Sequence, residues 1–548
     1  MKDIFDWFDA GGTKAKLLAF AATAPDAETW LSGKDTEPDR GEEGKAKKTQ
    51  AAALVDIGRR AELFHDADGK AFASIAVREH RETHPIRSRG FRRHLAHEYY
   101  LAYKKPPGSQ ATEDALRMLE TTAAYEGEAR AIPIRVAEHE GAIWIDLGGP
   151  DWDAVRVTRD GWAVVTSSAV PVRFRRGSDT AALPYPVAGG SLTQLRPFVN
   201  CTDGDWPLVV GWVLSAFCPR TSMTYPVLVF VGEQGSAKST ASRVVKRLTD
   251  PSTELLRTEQ REVRDLYISA THSWVVALDN VSGLPSWLSD ALCRLSTGGG
   301  FSTRSLYTDD EDFIFAAKRP IVLNGIGDVA TRSDLLDRAM LVRFPTITED
   351  KRKTEDDFWT AFDDARPHIF GALLDALAEA LRRYADTRLD RLPRMADAAR
   401  WVVAAEGVLP WTAGTFLAAM RESGSAANEV VIDAEVIVPA LRKVASQGDG
   451  FTGKVSALLA LINVEAGEAA TRQRSWPKQP NGLSSRLRRI APALRANGWT
   501  IDFPDEKGGR RTREVHLSVP VEPGEAEEGN PATGNPDPRA GAKTETAF

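Results

Sequence analysis

The pattern of apolar and polar positions changes several times along the 548 residues of the chain. Between residues 50 and 125, helical spacing of apolar residues predicts one helix over 51–63 and two more in FRRHLAHEYYLAYKK and ATEDALRMLETTAAYEG, with short strands between the first two. Between about 130 and 180, alternating apolar residues in IPIRVAEH, AIWIDLG and AVRVTRDGWAVV predict a small antiparallel β unit. From about 353 to 447, heptad-like apolar spacing predicts helices whose leucine stripe forms core.

The middle of the chain has short apolar runs separated by polar turns. The segments SLTQLRPFVN and DWPLVVGWVLSAFCP predict helices that lead into the apolar run YPVLVFV. That run is followed by the turn GEQGSAKST and by SRVVKRL, which has helical spacing. Three more apolar runs, HSWVVALDN, PIVLNG and AMLVRFP, predict further strands. Strands that alternate with helices in this way predict a parallel sheet covered by helices.

Near the C-terminus, the pattern predicts a winged helix. Residues 451–465 and the segment LSSRLRRIAPALRANG predict two helices, and WTIDFPDEKGGRRTREVHLSV predicts a two-stranded wing with glycines at its tip. Arginines on such a helix and wing suit contacts with duplex phosphates and the major groove. A solvated basic surface is the alternative interpretation. The candidate DNA-binding residues here are Arg486, Arg488, Arg489, Arg510 and Arg511.

Together these patterns predict a multidomain α/β protein. The predicted parts are a short helical stub with a charged linker (1–50), an N-terminal α+β region (51–128), a small antiparallel β unit (129–190), a parallel-sheet core (191–350), a helical lid or collar (351–450), a winged helix (451–518) and a disordered tail (519–548). The tail is predicted to be disordered because it is rich in Pro, Gly and Glu and poor in bulky apolar residues.

Composition narrows the class of protein. A hydrophobic content of 42% is ordinary for a globular chain. The three cysteines Cys201, Cys218 and Cys293 are far apart, which argues against a disulfide framework and a thiolate metal cage and favours a cytoplasmic location. No run of eighteen apolar residues and no signal-peptide pattern is present, so no membrane partner is expected. Because the net charge is −6, contacts with nucleic acid must come from local basic patches.

Two smaller groups of polar residues have alternative interpretations. His80 and His84 lie in the basic segment REHRETHPIRSRGFRRH, where a solvated basic surface, a nucleic-acid contact and a zinc site are all conceivable. The zinc site is disfavoured because the sequence shows no third ligand. The spacing of Asp151 and Asp153, in LGGPDWDAV, resembles that of a paired-carboxylate metal site. Their position in a turn between two strands favours a turn role instead.

The turn GEQGSAKST predicts a phosphate loop. In the pattern G-x-x-x-x-G-K-S/T, backbone N–H groups and the helix N-terminus bind phosphate oxygens, while the lysine and the hydroxyl reach the terminal phosphates and magnesium. Ala237 replaces the second glycine of the pattern, and Gly235 supplies backbone freedom inside the loop. The predicted phosphate loop, which binds ATP and Mg²⁺, consists of Gly232, Glu233, Gln234, Gly235, Ser236, Ala237, Lys238, Ser239 and Thr240.

Two later strands end in polar residues that can complete such a site. Asp279 follows the run HSWVVAL, and a carboxylate at the tip of a strand beside the loop strand holds magnesium together with the loop hydroxyl, here Ser239. Asn324 ends the run PIVLN, where it can orient the attacking water or touch the γ-phosphate. Because parallel strands end at one edge of a sheet, these side chains are expected to lie together.

The region 225–345 resembles the superfamily 3 helicases, especially their poxvirus and phage primase-helicase branch. The resemblance is carried by LCRLSTGGGFSTRSLYTDDEDFIF, by RPIVLNGI and by SDLLDRAMLVRFP. The matched positions are Leu295, Thr297, Gly298, Gly299, Arg304, Tyr307, Asp309 and Phe313. The loop GEQGSAKS is also similar to that of the minichromosome maintenance helicases, which likewise have alanine before the lysine.

This resemblance implies a P-loop AAA+ ATPase that forms hexamer-like rings and acts in phage or plasmid DNA replication. It implies that Asn324 is the sensor, and that Arg332 or Arg338 is the finger that reaches the ATP of a neighbouring subunit. It also implies a hairpin over residues 298–307 that lines the pore and grips single-stranded DNA through Arg304 and Tyr307. An ordinary packed hairpin is the alternative.

One position departs from the family pattern. Asn280 stands where the family has a water-activating glutamate, and an amide cannot take a proton at neutral pH. Hydrolysis would then be slow or would use another base such as Glu311. Asn280 favours one alternative to a helicase, an ATP-gated DNA-binding or loader protein that does not unwind. A small-molecule P-loop kinase is a third hypothesis, which the hairpin and the arginine-bearing turn disfavour.

The segment DIFDWFDAGGTKAKLLAFAATAP resembles the end of Toprim-type phage primase domains. This implies that the catalytic acidic residues of such a domain would lie upstream of Met1. A separate primase is therefore a possible partner.

Overall fold

The computed structural model describes residues 48–220, 222–258, 260–281, 283–304, 312–315, 317–325, 332–503 and 514–519. The protein is a mixed α/β molecule that contains both parallel and antiparallel sheets. The predicted stub and tail lie almost wholly outside the described residues.

The N-terminal region forms a four-stranded sheet with three helices. Its elements are α1 (Gln50–Gly58), β1 (Glu62–His65), β2 (Ala71–Val77), β3 (His80–Pro85), α2 (Arg89–Tyr103), α3 (Ser109–Tyr125) and β4 (Glu128–Ala129), and the strand order is β3-β2-β1-β4. The helix predicted over 51–63 is wrong in its second half, because it ends at Gly58. That glycine packs against Leu119, where a Cβ atom would lie 2.3 Å from a methyl carbon.

The second unit is an antiparallel meander, as the alternating pattern predicts. Its strands β5 (Val136–His139), β6 (Ala142–Asp146), β7 (Ala154–Thr158) and β8 (Gly161–Val165) pair in sequence order. Asp153 accepts hydrogen bonds from the backbone N–H of Ser167 and, at 2.8 Å, from the hydroxyl of Tyr185. Trp152 has a left-handed φ of 59°. The carboxylate of Asp153 thus connects the turn between β6 and β7 to two later segments of the chain.

The central unit contains a parallel sheet. A short 3₁₀ helix (Leu192–Phe198), where an α-helix was predicted, contains Pro197, and it precedes the fully buried helix α4 (Trp206–Ala216). The following elements are β9 (Val227–Val231), α5 (Lys238–Thr249), α6 (Val263–His272), β10 (Val276–Leu278), α7 (Ser286–Thr297), β11 (Phe301–Arg304), β12 (Asp312–Phe315), β13 (Ile321–Asn324), α8 (Ser333–Leu336) and β14 (Ala339–Arg343). The order β10-β13-β9-β14 is parallel throughout, so the predicted parallel sheet is confirmed.

The predicted hairpin over 298–307 is shifted along the chain. Gly298 ends α7 with a left-handed φ of 89° instead of belonging to the hairpin. Strand β11 pairs with β12 in an antiparallel register that sets Phe301 opposite Phe315. Residues 305–311, which include Tyr307 and Glu311, lie outside the described part of the chain, as do the side chains of β11 and β12.

The C-terminal third begins with the predicted helices. They are α9 (Glu355–Arg383), α10 (Ala396–Ala405), α11 (Thr415–Asp433) and α12 (Val438–Ala445). Then come β15 (Phe451–Lys454), α13 (Val455–Thr471), α14 (Pro480–Ala496), β16 (Thr500–Asp502) and β17 (Glu514–Ser518), with strand order β15-β17-β16. The helix predicted from 451 is wrong in its first turn, because Phe451–Lys454 alternate in burial and pair with β17 as a strand.

Apolar packing connects these units. One buried cluster joins the antiparallel meander, one face of the parallel sheet and helices α9 and α10. A second cluster joins the other face of the sheet with α12, α13 and α14. Among the described residues, no helix is long and apolar enough to cross a membrane.

Candidate functional site

The predicted phosphate loop connects the end of β9 to the start of α5. Three of its residues have positive φ angles. Gly232 has φ 155° and Gly235 has φ 80°, values that side chains rarely permit. A Cβ atom on Gly232 would lie 2.4 Å from the carbonyl oxygen of Phe344. Ala237 has φ 64°, which explains why a glycine is usual at this position and shows that the methyl group is tolerated.

Lys238 is folded into the loop it closes. Its ammonium group donates to the carbonyl oxygens of Gly232 at 2.7 Å and Glu233 at 2.6 Å, and to the Ser236 hydroxyl at 3.2 Å. The side chain is buried, and this burial lowers the pKa of Lys238. All of these acceptors are neutral, so the positive charge is held inside the loop by dipoles instead of by a carboxylate.

Ser239 contacts the tip of a distant strand. Its hydroxyl donates to a carboxylate oxygen of Asp279 at 2.7 Å, across 40 positions of sequence. Asp279 follows β10, which is separated from the loop strand β9 by β13. The parallel sheet thus brings together the hydroxyl and the carboxylate that the sequence proposed as magnesium ligands.

Asn324 lies at the end of β13, between those two strands, and is buried. Its side-chain oxygen accepts from the backbone N–H of Asn280 at 3.0 Å, and its amide nitrogen donates to the Ser242 hydroxyl at 2.7 Å. Asn280 itself is exposed and has a left-handed φ of 52°, a conformation that asparagine adopts more readily than most residues. In this structure Asn324 therefore positions the residue after Asp279 and binds the loop helix.

Two further residues hold the loop in place and were not predicted. The amide of Asn200 donates to the carbonyl oxygens of Ser236 at 3.2 Å and Pro345 at 2.7 Å, which ties the loop to the segment after β14. The hydroxyl of Thr346 donates to the carboxylate of Glu233 at 3.2 Å. Both contacts span more than thirty residues, so no local pattern could have revealed them.

A buried ion cluster fixes α5 against β10. Asp250, just after α5, accepts from the ammonium of Lys246 at 2.6 Å and the guanidinium of Arg135 at 3.0 Å. It also accepts from the backbone N–H groups of Trp274 and Val275, which lead into β10. Burial raises the pKa of Asp250, but the charges of Lys246 and Arg135 outweigh it and lower this pKa to about 2. The cluster thus positions the helix of Ser239 against the strand of Asp279.

Of the two arginines predicted as fingers, Arg338 lies at the opposite edge of the sheet from the loop. Arg338 directly precedes β14, and its carbonyl oxygen accepts from the backbone N–H of Val227 at the start of β9. The phosphate loop follows the end of β9, so parallel strands separate the two positions by the full strand length. Arg332 pairs with Asp290 at 2.9 Å and with Asp334 at 3.4 Å. Arg338 also lines a cavity of about 830 Å³.

The arginines predicted to bind DNA have intramolecular partners where they are described. Arg486, at 3.1 Å, and Arg489 both pair with Glu435, which lies just before α12. The guanidinium of Arg488 stacks 4.5 Å from the ring centre of Phe503. Of Arg304 only the backbone is described, and Tyr307, Arg510 and Arg511 lie outside the described residues. His80 and His84 both contact the carboxylate of Glu82.

Comparison with solved structures gives remote likenesses only. The apo C-terminal region of NrS-1 has 12% sequence identity over 87% of this chain and 100% of that chain, with a TM-score of 0.37. A second structure of that region, residues 305–718, has 11% identity over 86% of this chain and 98% of that chain, with a TM-score of 0.35. Scores this low carry no argument about fold or function. No curated protein matches the chain.

Family models give a clearer result. Residues 191–424 match the model described as the actinomycete integrative conjugative element replication protein. Residues 437–531 match the model of the AICE RepA C-terminal domain. The two models describe successive parts of one replication protein and together match more than half of the chain. The chain therefore belongs to the replication proteins of actinomycete integrative conjugative elements.

Proposed function

We propose that this replication protein is a P-loop AAA+ ATPase that couples ATP hydrolysis to movement on DNA as an oligomeric ring. Membership of the family gives the chain a role in DNA replication. The observation that carries the ATPase proposal is the 2.7 Å contact between Ser239 and Asp279, beside the buried ammonium of Lys238. It joins a phosphate-loop helix to an acidic strand tip, which is the arrangement that Mg²⁺ and a nucleoside triphosphate require.

The residues at this site fit ATP and Mg²⁺. A hydroxyl and a carboxylate are oxygen ligands of the kind that Mg²⁺ prefers. The ammonium of Lys238 is surrounded by neutral acceptors, so it can exchange them for phosphate oxygens without breaking an ion pair. Bound Mg²⁺ would neutralise charge on the phosphates, while Lys238 and the loop N–H groups would orient them.

Asn280 bears on the hydrolysis step. Its amide can hold a water molecule but cannot remove a proton from it. Its backbone is left-handed, which is a conformation that glutamate adopts at a cost of about 1 kcal/mol or more. This observation favours the second candidate, an ATP-gated DNA loader that binds ATP and assembles without unwinding.

The position of Arg338 supports an oligomer. It lies at the edge of the sheet opposite the phosphate loop of the same chain. It can serve an ATP site only if the sheet edge of one subunit faces the loop of the next, as in a ring. Such a ring would place the β11–β12 hairpin, with Arg304, in a position to contact single-stranded DNA.

The C-terminal elements support a winged-helix DNA-binding domain. Helix α12, strand β15, helices α13 and α14, and strands β16 and β17 follow one another in the order of that fold. Helix α14 would be the recognition helix. The wing, between β16 and β17, contains Arg510 and Arg511.

The proposal is tested by DNA-stimulated ATP turnover. Lys238→Ala should abolish turnover, whereas Arg243→Ala, which removes a partly exposed cation of the same helix, should leave it unchanged. Undiminished DNA-stimulated ATP turnover by Lys238→Ala would contradict the ATPase assignment. Turnover that ignores DNA, from a strictly monomeric protein, would instead favour a small-molecule kinase.

Strand displacement on a forked duplex then separates the motor from the loader. A motor displaces the strand in an ATP-dependent reaction that Lys238→Ala loses. A loader shows ATP-dependent assembly on DNA without displacement. The loader hypothesis also predicts that the Asn280→Glu variant shows no strand displacement.

A further inference from the structure

The exposed face of α2 in the N-terminal region is a basic stripe formed by Arg89, Arg93, His97, Tyr100 and Lys104. These residues recur at spacings of three or four, which places them on one side of the helix. The opposite side carries Phe91, Leu95 and Tyr99, which are buried in the core of this region. The stripe from Arg89 to Tyr100 is about 16 Å long.

The arginines and lysines of the basic stripe differ from their neighbours in having no ion-pair partner among the described residues, whereas His97 lies 3.5 Å from the carboxylate of Glu98. Across the same region, Arg81 and Arg130 pair with Glu62, and Arg87 and Arg92 pair with Glu113. Within the described residues, no carboxylate pairs with Arg89, Arg93, Lys104 or Lys105. Over residues 89–105 there are five arginines and lysines and one glutamate, although the whole chain has a net charge of −6.

Aromatic groups lie among these free cations. Tyr100 is 52% exposed and Tyr103 is 47% exposed, in a stretch that also exposes Leu101. Tyr103 stacks on Tyr99 with ring centres 4.6 Å apart, so its ring is held in one orientation at the surface. Exposed rings on one helix with arginines and lysines are the combination that binds single strands, since bases stack on the rings while the cations follow the phosphates.

We propose that the basic stripe on α2 binds single-stranded DNA. The site lies outside both regions that match the family models and is independent of the nucleotide site. Charge complementarity selects a polyanion, and Tyr100 selects unpaired bases, because a base inside a duplex cannot stack on a side chain. The proposal rests on the proposed function only in taking DNA as the polymer on which this protein works.

The N-terminal region is also fixed to the ATPase unit, so a strand held there has a defined place. The backbone N–H of Arg81 donates to the Ser167 hydroxyl at 2.7 Å, and Arg173 pairs with Glu62 at 3.0 Å. The guanidinium of Arg175 in turn donates to the carbonyl oxygen of Thr271, at the end of α6. These contacts connect the region that carries the basic stripe to the unit that contains the parallel sheet.

The test is fluorescence anisotropy of a labelled oligothymidine with the full chain, without nucleotide. The double variant Arg89→Glu/Arg93→Glu should bind about tenfold more weakly. The slope of log affinity against log salt concentration should be shallower by about 1.4 for this variant, because each of the two lost phosphate contacts removes about 0.7 from the slope. The control Arg59→Glu/Arg60→Glu makes the same charge change on exposed residues of α1 and its end, and should bind like wild type.

Tyr100→Ala tests the choice of a single strand. It should weaken binding of oligothymidine several-fold and leave binding of a duplex of equal length unchanged. Ultraviolet crosslinking of a bromodeoxyuridine strand should give an adduct at Tyr100 or Tyr103. Because no nucleotide is added, this binding does not depend on the ATP site, which keeps the test separate from the ATPase test.

Three results would overturn the proposal. The first is wild-type affinity and salt slope in Arg89→Glu/Arg93→Glu with normal circular dichroism. The second is crosslinks at other positions alone. The third is an unchanged DNA affinity combined with loss of self-association in the stripe variant, which would make this face a protein interface.

Discussion

Two carboxylates in this protein each bind two cations, and their surroundings make them behave differently. Asp250 holds Lys246 and Arg135, and all three side chains are at most 5% exposed. Glu435, itself largely buried, holds Arg486, which is 26% exposed, and Arg489, which is 55% exposed. A fully buried cluster with every group hydrogen-bonded fixes one geometry, whereas a cluster whose cations reach solvent is weaker and more easily exchanged. The packing around Asp250 is therefore fixed, and the arginines of α14 around Glu435 are adjustable.

The largest expected effect comes from breaking the buried cluster. Asp250→Asn leaves Lys246 and Arg135 without their counter-charge, which should lower the free energy of unfolding by about 4 kcal/mol. Urea denaturation at pH 7 measures this change. Asp363→Asn, which removes the half-exposed partner of Arg247, is the matched control and should cost less than about 1 kcal/mol. Equal effects of the two changes would remove the basis of the comparison.

The same cluster predicts a pH dependence. The pKa of Asp250 is lowered from 3.8 to about 2 on folding, so the unfolded chain binds a proton more readily between these values. Its contribution is therefore fully present above about pH 4 and is lost as the pH falls towards 2. Asp250→Asn should lose less stability than wild type between pH 5 and pH 3. Parallel unfolding curves for both proteins over this range would contradict the assignment.

The second prediction concerns the fixed shape of the phosphate loop. Gly232→Ala forces a Cβ atom to within 2.4 Å of the Phe344 carbonyl oxygen. It should lower the free energy of unfolding by about 3 kcal/mol and should also weaken nucleotide binding. Gly235→Ala also has an unfavourable φ, but its Cβ atom would meet nothing within 4 Å. The free energy of unfolding should therefore fall by only about 1 kcal/mol. Thermal melting with and without Mg-ATP compares the two, and a larger loss in Gly235→Ala would be inconsistent with this loop geometry.

The third prediction concerns Asn324. Asn324→Ala leaves the backbone N–H of Asn280 and the Ser242 hydroxyl without their buried partner, which should cost about 2 kcal/mol. ATP turnover should fall because the segment after Asp279 is no longer held. Ser242→Ala removes only one of the two contacts and should cost less in both assays. If Asn324→Ala keeps wild-type stability but loses turnover, its role is contact with phosphate or water instead of positioning.

The smallest effect is expected at the cluster around Glu435. Glu435→Gln removes the charge that holds Arg486 and Arg489, so both become available to phosphates and duplex DNA affinity should rise about threefold. Glu465→Gln, which removes the carboxylate near Lys443, is the control and should change nothing. Gel-shift titration at low salt measures both. A loss of affinity in Glu435→Gln would show that the pair orders these arginines for DNA instead of competing with it.

The strand, loop and helix around Gly232 and Lys238 were predictable because their pattern is local. Gly232, Gly235 and Lys238 lie within seven residues, and the strand and helix around them have clear periodicity. The parallel sheet then placed Asp279 and Asn324 at one edge, as strand ends must. The roles of Asn200 and Glu435 were not predictable, because each depends on which distant groups packing brings within reach.

Errors in secondary structure have similar causes. The strand Phe451–Lys454 was predicted as helix because its four residues run directly into an apolar helix, and only pairing with β17 makes them a strand. The first helix ends at Gly58 because of its contact with Leu119 in α3, another distant group. The hairpin was placed too early because Gly298 ends a helix instead of forming a turn.

Calorimetric titration of Mg-ATP into wild-type protein and the Lys238→Ala and Asp279→Ala variants tests the nucleotide site directly. We expect micromolar binding by wild type, no measurable binding by Lys238→Ala, and binding by Asp279→Ala that no longer depends on Mg²⁺. The two variants should melt like wild type in the absence of nucleotide. Wild-type affinity for Mg-ATP in folded Lys238→Ala would contradict the account.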